Sequence, residues 1–482
     1  MTGPYETVVG MEVHVELATR TKVWCGCSTR FGQPPNSQVC PVCLGLPGAL
    51  PVLNRRALEL AMRAALALNC RLARRTEFER KNYYYPDLPK NYQISQLRKH
   101  LATDGWLEIE LNGRPKRVGI ENLHLEEDAG KNIHPETPGA AYSLVDLNRA
   151  GTPLIEIVTR PDLRSSEEAL AFMNGLKSLL QYIEVSDCNM HEGRLRFEAN
   201  VSVRPAGSDR LGTKVEIKNL ASTKIVARCI DHEAIRQADA LASGGQVVQE
   251  TRLWDEARNV TVAMRSKEEA QDYRYFPDPD LVEVVLDDAW IERVRAEMPE
   301  LPLARRRRFI EHYGLPEYDA HVITADKALA DYYETAVAEH GNAKAIANWI
   351  MTEVLGILNR EEEIDVAAFP ISPSGLGRLV RLIDAGTISG KIAKTVFRRM
   401  LAGEGDPEVI VRAQGLAQIT DAGQIEAVVD AVLREHPGPA EDYRQGKERA
   451  LGFLVGQVMK AMQGKANPQT VNELIRQKTR GG

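Results

Sequence analysis

What the sequence lacks narrows its function first. No uncharged apolar stretch approaches the roughly 18 residues a membrane-spanning helix needs, so no membrane role is expected. The start of the chain lacks the basic region, apolar run and small-residue cleavage site of a secretory leader. The expected compartment is therefore the cytoplasm. Cysteine is scarce, seven in 482 residues, and nothing else suggests a secreted disulfide scaffold. No His-Glu-x-x-His and no Gly-x-Ser-x-Gly occurs. Gly386-Thr387-Ile388-Ser389-Gly390-Lys391-Ile392 approximates a phosphate loop but is one residue short, and Ile392 replaces the hydroxyl that would bind magnesium. It reads instead as a turn at a helix start. Gly375-Leu376-Gly377 lacks the third glycine of a dinucleotide fingerprint. A net charge of −6 argues against a general nucleic-acid coat and leaves room only for a local basic patch. The end of the chain offers one: residues 441–482 carry eight Lys/Arg against four Asp/Glu. A solvated helical face reads the same way from charge alone.

The scarce cysteines are not scattered. Cys25, Cys27, Cys40 and Cys43 fall within nineteen residues as Cys-x-Cys, a twelve-residue loop and Cys-x-x-Cys. Two close pairs joined by turn chemistry (Arg30-Phe31-Gly32-Gln33-Pro34-Pro35-Asn36) let four thiolates converge on one tetrahedral zinc. Four reduced cysteines in a packed loop are the plainer alternative. A closed four-sulfur site implies a rigid knuckle and does not name a reaction.

Length and texture set the organisation. A chain of 482 residues should hold two to four domains. The first 290 or so residues mix short β-type runs with helical patterns in irregular order. The runs include Thr7–Leu17, Trp106–Leu111, Leu154–Val158, Leu195–Arg204 and Lys214–Lys218; the helices include Arg55–Leu68 and Ser166–Tyr182. This predicts an α+β fold with a largely antiparallel sheet. From Asp287 onward helix follows helix, and boundaries are expected near 292 and 405.

Several strands have an unusually polar second face. A period of two puts Val9, Met11, Val13, Val15 and Leu17 on one side and Glu12, His14 and Glu16 on the other. Arg196, Glu198, Asn200, Ser202 and Arg204 likewise oppose an apolar set, as do Lys214, Glu216 and Lys218. Solvent-facing strands could look like this, but the recurrence suggests a sheet lining a cleft. Glu12 and His14, with Glu156 and the Glu126-Glu127 pair, could supply metal ligands; the excess of carboxylates favours a hard ion such as magnesium. Two stretches rich in aromatic and basic residues, Arg80–Gln96 and Asp272–Asp280, suit a nucleotide or a nucleic-acid end, or else pack tyrosines on the core.

At these stretches the chain resembles a known family. Val9–Leu17, Lys81–Gln96, His124–Lys131, Asp146–Val158, Glu192–Arg204, Lys214–Asn219, Asp272–Asp280 and Gly452–Pro468 match, in collinear order, the GatB family, the B component of the aspartyl/glutamyl-tRNA amidotransferase (the GatCAB complex). The resemblance implies ATP-dependent phosphorylation of the side-chain carboxylate of Glu-tRNA or Asp-tRNA. Ammonia, released from glutamine by the amidase component GatA, then displaces phosphate. It implies the small component GatC, misacylated tRNA and the non-discriminating aminoacyl-tRNA synthetase as further partners. It implies ATP, magnesium and structural zinc as cofactors. Carried over residue by residue, the magnesium ligands and catalytic residues are Glu12, His14, Glu127 and Glu156. Lys81, Tyr83, Arg149, Arg196, Glu198, Asn200, Lys218 and Arg274 line the ATP and substrate pocket. The implied architecture is a sheet-based catalytic cradle over residues 1–292, an all-helical domain over 293–405 and a small helical tRNA-binding tail, YqeY-like, over 406–482. The family often has Asp where this chain has Glu198, and only some members carry the four cysteines. This chain lacks the Ser-Ser-Lys amidase arrangement, so glutamine hydrolysis falls to the partner. The rival readings are a non-catalytic zinc-containing RNA-binding scaffold and an enzyme that charges tRNA directly through an adenylate.

Overall fold

A computed structural model describes residues 4–135, 142–220, 222–266, 273–360, 365–419, 421–462 and 464–480. Asp272, at the head of the second aromatic stretch, and Gln463, Gly481 and Gly482 of the basic tail lie outside the described residues. The chain divides into two compact units, Met1–Leu301 and Pro302–Gly482.

The first unit is built on one nine-stranded sheet. Its strands, in chain order, are β1 (Tyr5–Glu16), β2 (Arg71–Leu72), β3 (Ala102–Leu111), β4 (Arg114–Glu127), β5 (Pro153–Thr159), β6 (Leu195–Pro205), β7 (Val215–Leu220), β8 (Glu250–Asp255) and β9 (Val260–Ser266). The spatial order is β9-β8-β7-β6-β1-β5-β4-β3-β2, so the first strand lies at the centre. All pairs are antiparallel except β7 with β8. A parallel pair needs a crossover, and helix α3, defined below, supplies it.

The alternation read in β1 sets the sheet's two faces. Val9, Met11, Val13 and Val15 are 0–1% exposed and point into the core. Three helices cover that face: α1 (Arg55–Ala67), α2 (Ser166–Tyr182) and α3 (Thr223–Ala242). In α2 the residues Ala169, Phe172, Met173, Leu176, Leu179 and Leu180 recur at helical spacing, and all are buried. Each helix starts on a side-chain cap: Asn54 accepts from the Arg56 and Ala57 amides, Ser165 from Glu168, and Ser222 from Ile225. The sequence patterns located β1, β5, β6, β7, α1 and α2 to within a few residues. They missed β4, whose first half (Arg-Pro-Lys-Arg) reads as a solvated charge run, and also α3, β8 and β9.

The second unit is helical and holds two separate apolar cores. One gathers Phe309, Tyr333, Ile346, Leu376, Val396, Phe397, Ile410 and Val411; the other gathers Ile425, Val429, Leu454, Val458, Val471 and Ile475. The stretch that failed as a phosphate loop is a turn: Gly386 has φ 67°, and Ser389 caps the helix Gly390–Leu401. Among the described residues no helix is long and apolar enough to cross a membrane.

Candidate active site

The sheet's second face is polar across five adjacent strands. Register places His14 opposite Glu156 on β5 and opposite Arg196 on β6; Glu156 faces His124 on β4, and Glu12 faces Glu198. Strand alternation then puts Asn122, His124 and Glu126 of β4 on the same side as His14. The His14 Nε2 atom lies 3.6 Å from both Glu126 Oε1 and Glu156 Oε2. His124 Nε2 approaches Glu156 Oε2 at 3.1 Å and Glu126 Oε2 at 3.8 Å. One ligand atom from each of His14, Glu126 and Glu156 lies within 4.8 Å of the others, close enough to share one ion.

Electrostatics around this group favour ionised carboxylates. Burial alone would raise Glu156, but His124, His14 and Lys81 hold it well below the usual carboxylate range. Glu126 is lowered in the same way, against burial, chiefly by His124. Burial would lower His124, yet its bonds to Glu126 and Glu156 push it up to about 9. The Lys81 ammonium lies 5.1 and 5.9 Å from the Tyr273 and Tyr83 rings. Burial would lower it, but the Glu126 carboxylate raises it overall. Ser95 Oγ donates to Glu126 at 3.1 Å.

A second acidic group lies alongside. Glu12, Glu198 and Glu216 offer oxygens within 4.8 Å of one another. Like charges directly opposite in a sheet repel, and neighbouring side chains offset this. Lys218 Nζ reaches Glu198 at 2.8 Å and Glu216 at 3.1 Å, while Asn200 donates to Glu12 at 2.9 Å. Burial and the Glu156 charge raise Glu12. On the other flank Asp128 binds two arginines, Arg196 at 3.1 Å and Arg149 at 3.4 Å. Arg149 also donates to the Ala129 and Gly130 carbonyls at 3.0 and 2.7 Å. Arg274 sits at φ 46° in the loop whose next residues pair with the strand Glu79–Asn82, and its carbonyl accepts from Asn82.

The expected ligand set is thus divided. His14 and Glu156 share one group, Glu12 belongs to the neighbouring one, and Glu127 lies with neither. Glu127 pairs instead with Lys90 and accepts from the Ile94 amide at 2.8 Å. Its place beside His14 is taken by Glu126. The reason is the period of two: adjacent residues of a strand leave on opposite faces. The pair was visible in sequence; which member lies beside His14 is set by the β4 register. His124 and Asp128 were not singled out, and Glu216 was placed on the polar face without a role; alternation along β4 would have found the first.

The four cysteines converge. Their sulfurs all lie within 4.8 Å of one another, and Cys40 Sγ is 3.9 Å from Cys43 Sγ. Sulfurs bound at about 2.3 Å to a tetrahedral zinc stand about 3.8 Å apart, so the donor set fits that ion. A bond from Cys25, aided by the Lys22 ammonium, holds Cys43 down to about 4.

Fold and site together define a class: an α+β protein whose largely antiparallel sheet carries a carboxylate-rich polar face able to hold a cation, flanked by lysines and arginines, with a four-sulfur knuckle beside it. Its relatives narrow the class. Residues 7–292 match the GatB/GatE catalytic domain and residues 331–479 match the GatB domain. A protein of Carboxydothermus hydrogenoformans, named as the B subunit of aspartyl/glutamyl-tRNA(Asn/Gln) amidotransferase, is 57% identical over 475 residues, 98% of each chain. Proteins of the same name from Moorella thermoacetica and Geotalea uraniireducens are 55% and 54% identical, covering 98–99% of this chain and 99–100% of theirs. The chain belongs to the GatB family of the aspartyl/glutamyl-tRNA amidotransferases.

Proposed function

We propose that this chain uses ATP to phosphorylate the side-chain carboxylate of Glu-tRNA(Gln), Asp-tRNA(Asn) or both, and completes the conversion to Gln-tRNA or Asn-tRNA with ammonia. It is then the carboxylate-activating component of a carbon–nitrogen ligase that takes its amide nitrogen from glutamine. The observation that carries this reading is the His14–Glu126–Glu156 group, set on one sheet face beside Lys81, in a chain 57% identical to a protein named as the amidotransferase B subunit.

His14, Glu126 and Glu156 would hold magnesium, with Glu12 alongside. Magnesium, when bound, supplies neutralisation of phosphate charge during transfer. Lys81 would meet a phosphoryl oxygen at the same centre, beside the Tyr83 and Tyr273 rings. Arg149 and Arg196, tied to Asp128, offer guanidinium groups to an anionic substrate. Lys218 balances Glu198 and Glu216. Phosphoryl transfer gains mainly from such positioning and charge. The carboxylate oxygen takes the γ-phosphoryl group, ADP leaves, and ammonia then displaces phosphate from the acyl carbon.

Cys25, Cys27, Cys40 and Cys43 would hold a structural zinc. The amidase GatA supplies ammonia, and the small protein GatC completes the heterotrimer in the cytoplasm. The chain divides by function into a cradle, a helical domain and a tRNA-binding tail with its own core. Family membership gives no support to a non-catalytic scaffold. Incubating the assembled complex with misacylated tRNA, glutamine and labelled ATP tests the reading. ADP that appears only with misacylated tRNA is expected; pyrophosphate, or no cleavage, overturns it.

A further inference from the structure

The loop between the two cysteine pairs does more than close the knuckle. It is hydrogen-bonded, residue for residue, to a distant segment that carries Arg149. The Asn36 amide donates to Asp146 Oδ1 at 3.0 Å, its Nδ2 donates to the Val145 carbonyl at 2.9 Å, and its Oδ1 accepts from the Leu147 amide at 2.8 Å. From the other side Asn148 Nδ2 donates to the Pro34 carbonyl at 2.7 Å, and Asn148 Oδ1 accepts from the Gln38 amide at 2.8 Å. Asn36 itself has φ 57°, a left-handed conformation that Asn tolerates better than most residues.

The same segment is tied to the knuckle's metal-binding end. Lys22 is wholly buried, and its Nζ donates to Cys43 Sγ at 3.5 Å and to the Leu147 carbonyl at 3.3 Å. The Val23 amide donates to the Gly151 carbonyl at 2.9 Å. Two residues beyond Leu147 stands Arg149, whose guanidinium spans the Ala129 and Gly130 carbonyls and the Asp128 carboxylate. Gly151 closes the circuit by donating its amide to the Asp128 carbonyl at 2.9 Å.

We propose that Asn36 and Asn148 form a clasp through which the cysteine knuckle positions Arg149 for an anionic substrate. They are positioning residues: neither side chain reaches the polar sheet face, and both act through the backbone of residues 145–151. The substrate part rests on the function proposed above; the clasp itself does not. The anion is a phosphate, either of ATP or of the tRNA 3′ end.

The test uses the full-length chain in its assembled complex. Asn36→Gly keeps the left-handed turn accessible and removes both side-chain bonds; Asn148→Ala removes the opposing pair. In each variant, amide hydrogen exchange over residues 145–151 should quicken about tenfold, while the rest of the first unit exchanges as before. KM for ATP and for misacylated tRNA is measured separately. One of the two should rise about tenfold with kcat within about twofold of the parent, and the substrate affected identifies the anion. The double variant should behave as either single one does, because both break the same clasp. Unchanged exchange at 145–151, or quickened exchange with both KM values unchanged, overturns the proposal. If the parent complex cleaves no ATP, the functional reading fails, and the exchange data still decide the clasp.

Discussion

Glu126 and Glu127 show how much depends on a single residue step. Both are buried and acidic, yet one meets His14 and Glu156 while the other pairs with Lys90. Glu126→Gln keeps shape and removes a charge from the group proposed to face the transferring phosphoryl. Cleavage of ATP in the presence of misacylated tRNA should fall by about 100-fold, equivalent to about 3 kcal/mol, with tRNA affinity near that of the parent. Glu127→Gln breaks a buried ion pair whose side chains are 8% and 4% exposed, and should cost about 3 kcal/mol of stability in denaturant titration. Equal loss of cleavage in both variants, with neither destabilised, would remove the distinction drawn here. The cysteines allow a second residue-scale test. Burial pushes Cys70, Cys188 and Cys229 up to about 12, so these thiols stay protonated and unreactive at about pH 8. Zinc would mask the other four. Native protein should therefore show almost no reactive thiol, and chelator-treated protein four of its seven. A full complement of reactive thiols before chelation would argue against a metal-held knuckle. Convergence was legible where spacing is short, as in Cys25–Cys43, and a shared face where one strand carries it, as in Glu12 and His14. It was not legible where the partner arrives from another strand, because register is a tertiary property.

At the scale of elements, the same distinction separates what the patterns reveal from what they hide. Strands with strict alternation and the helices α1 and α2 announced themselves; α3, though capped by Ser222, did not. β4 did not, because the hairpin it forms with β3 projects charged residues such as Lys116 and Arg117 before its apolar half begins. β8 and β9 carry mixed sequences, and β8 joins β7 through a crossover that no local pattern encodes. Glycine shows the reverse case: Gly377 looked like a fragment of a nucleotide fingerprint and is a packing residue. A Cβ there would sit 2.6 Å from the Ala336 carbonyl oxygen and 2.8 Å from Glu339 Cβ, across the contact between helices Pro373–Asp384 and Lys327–Glu339. Helix propensity favours alanine over glycine by about 1 kcal/mol. Overpacking costs about 1–3 kcal/mol and should win. Gly377→Ala is expected to lower the unfolding midpoint; a rise would mean that the two helices separate without cost.

For the whole molecule, the helical unit's two cores set where the chain can be cut. A boundary near 405 precedes the helix Pro407–Ala413, whose Ile410 and Val411 belong to the first of those cores. A chain ending after Gln418 keeps that helix and the bond from the Gln418 amide to the Thr387 carbonyl. It should fold and cleave ATP, while binding tRNA more weakly and with a shallower salt dependence, because the basic tail is gone. Unchanged affinity across several salt concentrations would take the tail out of tRNA recognition. The central claim is that ATP's phosphoryl group passes to the substrate carboxylate at the His14–Glu126–Glu156 centre. The most direct measurement supplies misacylated tRNA whose glutamate side chain carries heavy oxygen in its carboxylate, then reads the products by mass spectrometry. One heavy oxygen should appear in inorganic phosphate for each amide formed. Heavy oxygen in AMP, or unlabelled phosphate beside a full yield of amidated tRNA, would contradict the account.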